Sequence, residues 1–233
     1  MKKPVCIITG VGPGTGSALA RRFSRGDYHV ALIARSEKRI PKLQTELPDA
    51  SAHICDVTSE AQVNETVAKI TREFGAPTIA IHNAIGGTFG NFLEVDPAAL
   101  ETNFRVNTMG MLYLARAVAP AMINAQKGVI IATGNTSAYR GIDSYAAFAP
   151  SKAAQRILSE SIARYCGPRG VHVSFLMIDA IINVPWARKM FHDKPDEFFA
   201  DPVTIADEIW HIAHQPRSAW SFNYELRPYA ERW

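Results

Sequence analysis

The sequence predicts a single α/β domain with a doubly wound, mostly parallel sheet of about seven strands and helices on both faces. Two observations predict this fold class. Short runs rich in β-branched residues alternate along the chain with longer amphipathic stretches, which is the pattern of strands joined by right-handed crossover helices. The chain has 233 residues, which is enough for one large core and does not demand a second domain.

The predicted strands and helices follow one another in regular order. Apolar runs predict strands at residues 5–9, 29–34, 52–55, 78–82, 129–133 and 171–178. The stretches between them predict helices at residues 14–25, 36–47, 59–74, 97–124 and 145–166. Capping residues agree with these breaks, since Ser36 and Ser59 each precede a helical stretch and Asp96-Pro97 is a cap followed by a first-turn proline.

The last quarter of the chain has a looser pattern. Residues 180–202 contain four aromatic residues without a clear period, and we expect a mobile flap there. These aromatic residues are Trp186, Phe191, Phe198 and Phe199. A helix is predicted near residues 203–214, and residues 219–226 alternate as a final strand. The aromatic residues of this strand are Trp220, Phe222 and Tyr224. We therefore predict one domain over residues 1–233, with the flap as part of it.

Composition and charge exclude several classes of protein. The chain has 25 basic and 22 acidic residues without a long block of either sign, which argues against a nucleic-acid surface. Its apolar runs are too short for a signal peptide or a membrane span. Three cysteines without close spacing fit reduced thiols rather than a metal clip. We expect a soluble, cytoplasmic protein that binds neither nucleic acid nor membrane and holds no metal.

A glycine-rich turn follows the first predicted strand and opens the first helix. In this setting backbone N–H groups and the helix dipole bind the pyrophosphate of a dinucleotide. Residues 9–17 read T-G-V-G-P-G-T-G-S, which does not match G-x-G-x-x-G but does match T-G-x-x-x-G-x-G. The matching residues are Thr9, Gly10, Gly14 and Gly16. The turn predicts a dinucleotide site, and a tight structural turn without a ligand is the alternative.

This spacing resembles the short-chain dehydrogenase/reductase family, and other blocks extend the resemblance over nearly the whole chain. Ile81-His82-Asn83-Ala84 resembles the family's N-N-A-G block, and Asn107-Thr108-Met109-Gly110 resembles its N-x-x-G block. Asp56-Val57 is similar to its adenine contact. The resemblance implies a Rossmann fold in which these residues contact the cofactor. For Asn83, bracing of neighbouring strands is the alternative to a cofactor contact.

The end of the second predicted strand favours NADP(H) over NAD(H). An NAD enzyme would place an acidic residue there for the ribose 2′-hydroxyl, but this chain has Arg35 followed by Ser36. A guanidinium can hold the 2′-phosphate by two hydrogen bonds. A solvated surface arginine is the alternative. The predicted cofactor-binding residues are Gly10, Pro13, Gly14, Thr15, Gly16, Arg35, Ser36, Asp56, Val57, Asn83, Ala84, Lys152 and Ile181.

The catalytic pattern of the family is broken in this chain. In the family a tyrosine four residues before a lysine exchanges a proton with the substrate, and a serine orients the substrate oxygen. Here Phe148 occupies the tyrosine position before Lys152, and Asn135 occupies the serine position. Several relatives with F-A-x-x-K resemble this atypical variant. Lys152 and Asn107 remain as catalytic candidates, although an exposed helix lysine and a helix-distorting asparagine are the respective alternatives.

Other residues are candidates for the missing proton donor. Tyr145 lies two helical turns before Lys152, about 10 Å along a helix, and packing or substrate contact is the alternative role. Thr136 and Ser137 have hydroxyls near the serine position, and Thr136 could orient a carbonyl. Asp179 replaces the glycine of a family P-G block, with a turn or cap aspartate as the alternative. His82 is predicted to pack rather than to act as a base.

Two functions remain open from the sequence. The first is an NADP(H)-dependent oxidoreductase of a small carbonyl or hydroxyl compound with an atypical proton donor, either Tyr145 or a water on Lys152. The second is a non-catalytic NADP(H)-binding protein, a sensor or assembly partner, because Phe148 cannot carry a proton. The aromatic final strand and the family resemblance imply a homo-oligomer, a dimer or tetramer, with core packing of those aromatics as the alternative.

Overall fold

The computed structural model describes residues 2–36 and 40–230, and it confirms the predicted fold class. The strands are β1 (Val5–Thr9), β2 (His29–Ala34), β3 (Ala50–Ile54), β4 (Pro77–His82), β5 (Gly128–Asn135), β6 (Val171–Ile178), β7 (Ile181–Ile182), β8 (Phe199–Ala200) and β9 (Asn223–Leu226). The helices are α1 (Thr15–Arg25), α2 (Ile40–Glu46), α3 (Glu60–Phe74), α4 (Pro97–Phe104), α5 (Gly110–Asn124), α6 (Ala149–Cys166), α7 (Pro185–Met190) and α8 (Pro202–Ala213). The predicted helix start at residues 36–39 lies largely outside the described residues.

The main sheet has seven strands in the order β3-β2-β1-β4-β5-β6-β9, and all of its neighbouring pairs are parallel. Helices α3, α5 and α6 pack on one face of the sheet, and α1, α2 and α8 pack on the other. Each face has its own apolar core. The strand order reverses direction between β1 and β4. The carboxyl ends of these two strands therefore form the topological switch point at which such sheets bind ligands.

The long predicted helix at residues 97–124 is interrupted. A π-helical turn, Arg105–Met109, separates α4 from α5. Asn107 lies in this turn, and its side chain is buried inside the protein. The interruption therefore coincides with the N-x-x-G block rather than with a proline, and π-turns of this kind often occur at functional sites.

Helix α6 begins four residues later than predicted. Pro150 is in its first turn, where the missing N–H costs nothing; in a helix that began at Tyr145, Pro150 would lose an internal hydrogen bond. Tyr145 instead forms an isolated bridge with Gly90. Gly90 N–H donates to the Ser144 carbonyl at 2.7 Å, and Ala146 N–H donates to the Gly90 carbonyl at 3.1 Å. Tyr145 therefore precedes α6, and the predicted start of this helix at residue 145 was wrong.

The C-terminal aromatic residues pack within the chain. Strand β9 is shorter than predicted, and Trp220 precedes it and stacks on His172 with ring centroids 5.0 Å apart. Phe222 and Tyr224 pack against the two cores. These contacts support the core-packing alternative, and the homo-oligomer stays a prediction. Within the described residues, no helix is both long and apolar enough to cross a membrane.

Candidate active site

The glycine turn is held tightly against the end of β4. Gly10 has φ +69°, which glycine adopts without strain. A β-carbon at Gly10 would lie 2.5 Å from the Ala84 nitrogen and 2.7 Å from the Asn83 carbonyl carbon. At Gly16 it would lie 2.7 Å from the Gly10 carbonyl oxygen. Both glycines are therefore required by close backbone approach at the switch point.

The amino end of α1 has the features of a phosphate site. Its cap residue Gly14 supplies no side-chain hydrogen bond, and no acidic residue lies in the first turn. Thr15 is buried, and its Oγ1 has no hydrogen-bond partner within the described part of the chain. A buried hydroxyl without a partner is costly. A bound phosphate oxygen would accept from it and from the free N–H groups of the helix start.

Asn83 braces the strands that carry the turn. Its Nδ2 donates to the Gly10 carbonyl at 3.0 Å, and its Oδ1 accepts from Thr133 Oγ1 at 3.3 Å. The Asn83 amide thus links the ends of β1, β4 and β5, which supports the alternative that Asn83 braces neighbouring strands. Cofactor contact by Asn83 and Ala84 stays a prediction.

The residues predicted at the adenosine end lie past β2 and β3. Arg35 and Ser36 are exposed, and no described residue forms an ion pair with Arg35. Asp56 Oδ1 accepts from the backbone N–H and the hydroxyl of Thr58, both at 2.9 Å, so its carboxylate is held in a local turn. Val57 is buried beside the start of α5. Arg35 therefore places an exposed cation past the end of β2.

Asn107 anchors the π-helical turn. Its Nδ2 donates to the Gly86 carbonyl at 3.0 Å and to Ser151 Oγ at 2.9 Å, and its Oδ1 accepts from Gly86 N–H at 2.9 Å. The side chain is fully buried. These contacts tie the π-helical turn to the loop at Gly86 and to α6 at Ser151. Its side chain is an architectural link in this structure.

Lys152 is buried on the inner face of α6. It is therefore not the exposed helix lysine that was the alternative interpretation. It is 2% exposed, and its Nζ donates to the Thr133 carbonyl at 3.0 Å and to Gln155 Oε1 at 2.5 Å. Burial lowers the pKa of Lys152 to about 7, because the charged form loses its hydration. The amine and the ammonium are therefore both populated near neutral pH, and one N–H of the ammonium remains for a ligand.

Phe148 lies beneath two other aromatic rings. It is 2% exposed, and its ring centroid lies 5.0 Å from that of Phe89 and 5.8 Å from that of Tyr145. Phe89 and Tyr145 also contact each other, at 4.9 Å. The hydroxyl-bearing ring above the usual tyrosine position is thus Tyr145. Phe89 could not be identified as a site residue from the sequence, because its loop has no periodicity.

Unpartnered polar atoms lie at the end of β5 and on α6. Asn135 Oδ1 and Gln155 Nε2 are buried without a hydrogen-bond partner among the described residues. Gln155 was not predicted, although its position three residues after Lys152 places it on the same helix face. Ser137 is buried near Asn135. This polarity at the end of β5 is suited to a ligand carrying both hydrogen-bond donors and acceptors.

Asp179 and His82 are engaged structurally. Asp179 pairs with Arg227 at 3.4 Å and only loosely with Arg140 at 3.9 Å, which gives its carboxylate a structural partner in Arg227. His82 is fully buried, with Nε2 3.1 Å from the Val106 carbonyl and Nδ1 3.2 Å from Thr9 Oγ1. Because a carbonyl only accepts, the proton is on Nε2 and Nδ1 accepts from Thr9.

Replacing His82 with glutamine is expected to make the free energy of unfolding depend less steeply on pH below 6.5. Burial, and then the nearby Lys152, lower the pKa of His82 from 6.5 to about 3. Between these values the unfolded chain binds the proton and the folded chain does not, so stability falls as the pH falls below 6.5. One such group contributes up to about 1.4 kcal/mol per pH unit.

Urea unfolding between about pH 4.5 and 7.5 measures this slope. The matched control is His211→Gln, on the exposed side of α8, which we expect to keep the wild-type slope. An unchanged slope in His82→Gln would contradict the buried neutral imidazole.

The predicted flap folds as a small lobe. Strands β7 and β8 pair, and Val184, Ala187 and Phe199 form its core. Arg188 fastens the lobe, since its Nε donates to Asn183 Oδ1 at 2.7 Å and its guanidinium lies 4.0 Å from the Phe199 ring centroid. A β-carbon at Gly14 would lie 2.7 Å from Val184 Cγ1, so the lobe borders the glycine turn. Ile181 is half-buried in β7; mobility of the lobe stays a prediction.

A cavity of about 330 Å³ opens beside Tyr145. It lies between the end of β5 and the first turns of α6. The side chains that line it are mostly small or apolar, together with Tyr139, Arg140 and Tyr145. Its size is at the lower end of the range of ligand pockets.

Comparison with known proteins identifies the family. Residues 4–194 match the model of the short chain dehydrogenases. An uncharacterised oxidoreductase of Staphylococcus saprophyticus is 27% identical, with 98% of each chain covered. An alcohol dehydrogenase from the archaeon Thermococcus sibiricus, complexed with 5-hydroxy-NADP, has a TM-score of 0.87 and 25% identity over 98% of each chain.

A metagenomic short-chain oxidoreductase in complex with NADP has a TM-score of 0.84, also at 25% identity over 98% of each chain. The family match covers most of the chain. The chain belongs to the short-chain dehydrogenase family of NAD(P)-dependent oxidoreductases.

Proposed function

We propose that this protein is an NADP(H)-dependent oxidoreductase that interconverts a small carbonyl compound and its alcohol. The observation that carries the proposal is the phosphate cradle: two glycines that admit no β-carbon, an uncapped helix start and the unpartnered hydroxyl of Thr15. A dinucleotide pyrophosphate satisfies each of these features. NADP complexes of two structural neighbours support the same cofactor.

The residues that would hold the cofactor lie along the carboxyl edge of the sheet. We assign the pyrophosphate to the turn from Gly10 to Gly16, with Pro13 shaping it, and the 2′-phosphate to Arg35 and Ser36. Asp56 and Val57 lie at the adenine side. Asn83, Ala84, Lys152 and Ile181 border the nicotinamide half. When bound, NADPH supplies the hydride that reduces the substrate's carbonyl carbon.

Tyr145 is the proposed proton donor to the carbonyl oxygen. Its ring lies over Phe148 and lines the cavity, and Phe148 has no proton to give. The buried polar groups around Asn135 would orient the oxygen. Lys152, with its pKa near 7, would restore the proton through water. In this proposal Asn107 holds α6 against the π-helical turn and acts only as a positioning residue.

A non-catalytic NADP(H)-binding protein is the second candidate. The observation that favours it is the depth of Phe148, which two rings cover, together with the commitment of two Lys152 hydrogens to protein acceptors. Oxidation of NADPH by a panel of small aldehydes and ketones separates the two functions. The enzyme should show turnover that falls in Lys152→Ala. Absence of turnover with the whole panel, despite tight NADPH binding, would support the second candidate.

Replacing Arg35 with alanine is expected to weaken NADPH binding by about tenfold or more, while NADH binding changes little. The reason is that the guanidinium would bind only the 2′-phosphate, which NADH lacks. Fluorescence titration of both cofactors measures the two affinities. Arg25→Ala, at the exposed end of α1, is the matched control. Equal losses for NADPH and NADH in Arg35→Ala would refute this assignment.

A further inference from the structure

The cavity beside Tyr145 has a distinctive charge pattern. Among the described residues that line it, Arg140 is the only charged one. The remaining surface is formed by four alanines, Ile142, Pro150, two tyrosines, Ser137 and Gly141. A cation at the edge of a largely apolar cavity is suited to a ligand with an apolar body and one anionic group.

Arg140 is loosely held. Its side chain is 60% exposed, and its guanidinium lies 3.9 Å from the Asp179 carboxylate. Asp179 lies closer to Arg227, at 3.4 Å. An ion pair this long and exposed contributes little, so the guanidinium can turn to a ligand at small cost.

The cavity wall beside Arg140 is fixed. Tyr139 Oη donates to Asn223 Oδ1 at 2.8 Å, and the Arg156 guanidinium lies 4.7 Å from the Tyr139 ring centroid. The start of α6 offers no competing anion site. Pro150 has no N–H, Ala149 N–H donates to the Tyr145 carbonyl, and the next two N–H groups donate to the Phe148 carbonyl.

We infer that the substrate is an oxo acid: a small carbonyl compound whose carboxylate binds Arg140 while its apolar body fills the cavity beside Tyr145. A single guanidinium matches a carboxylate by two parallel hydrogen bonds. This binding would fix the position of the carbonyl relative to Tyr145. The inference rests on the proposed function, because it names the substrate class of the same site.

The first test measures binding to the NADPH-saturated protein, without turnover. Benzoate and benzamide have nearly the same shape, and only benzoate is charged. We expect benzoate to bind about tenfold or more tightly than benzamide. Arg140→Gln should abolish this preference, Arg140→Lys should keep part of it, and Arg25→Gln should leave it unchanged. Equal binding of the two probes, binding of neither, or a preference that persists in Arg140→Gln would overturn the inference.

The second test compares turnover of phenylglyoxylate and of its methyl ester. The wild type should favour the acid through a lower KM, and Arg140→Gln should reduce that advantage by about tenfold or more. Turnover that favours the ester would overturn the inference and leave the proposed oxidoreductase standing. An Arg140-dependent benzoate preference without any turnover would refute the proposed function and keep the anion site.

Discussion

Replacing Tyr145 with phenylalanine is expected to lower kcat at least about 100-fold, because it removes the proposed general acid and keeps the aromatic packing. The ring contacts with Phe89 and Phe148 need no hydroxyl. Stability and NADPH affinity should therefore stay close to wild type. Steady-state kinetics with an accepted carbonyl substrate, together with a cofactor titration, measure both quantities.

Tyr139→Phe is the matched control for this prediction. Tyr139 lines the same cavity, but its hydroxyl is already committed to Asn223. We expect it to change kcat much less than Tyr145→Phe does. If Tyr145→Phe keeps wild-type kcat while Lys152→Ala loses activity, the proton comes from water on Lys152 instead.

The non-catalytic alternative makes the opposite prediction about the same site. If proton transfer was lost with the family tyrosine, then Phe148→Tyr combined with Asn135→Ser should create activity that the native chain lacks. Appreciable native turnover that depends on Tyr145 would rule this alternative out. Phe89 packs on Phe148, so a tyrosine at position 148 would also be covered by that ring. The effect of Tyr145→Phe on native turnover therefore distinguishes the enzyme from the non-catalytic protein more directly than the restored double variant does.

The strands were predictable because burial on both faces of a parallel sheet requires continuous β-branched runs. The predicted limits of β1, β2 and β6 agree with the structure. The glycine turn was predictable for a related reason. Close backbone approach at Gly10 and Gly16 leaves glycine as the only fitting residue, and that requirement is visible in the sequence.

Features that depend on distant contacts could not be read in the same way. In the π-helical turn, Asn107 bonds Gly86 and Ser151, which are 21 and 44 residues away in sequence. The late start of α6 depends partly on the bridge between Tyr145 and Gly90. The buried position of Lys152 is accompanied by hydrogen bonds to Thr133 of β5 and to Gln155. Periodicity reports which face of an element is apolar, and it carries no information about such partners.

Replacing Gly10 with alanine is expected to destabilise the fold by several kcal/mol and to abolish NADPH binding. A residue with a β-carbon pays about 1–2 kcal/mol for the left-handed backbone that Gly10 adopts at φ +69°. The added carbon would also lie 2.5 Å from the Ala84 nitrogen, which belongs to rigid backbone and cannot rotate away. Overpacking of this kind typically costs a further 1–3 kcal/mol, roughly.

Urea unfolding gives the loss of stability, and cofactor titration at low temperature gives the loss of binding in the fraction that folds. Gly167→Ala is the matched control, because Gly167 has φ −54° and no atom within 4 Å of an added β-carbon. We expect that variant to be nearly neutral. The two effects of Gly10→Ala should appear together, because the glycine that joins β1 to the end of β4 also shapes the phosphate cradle. A stable Gly10→Ala variant with wild-type NADPH affinity would show that the turn and Ala84 do not approach as closely as described.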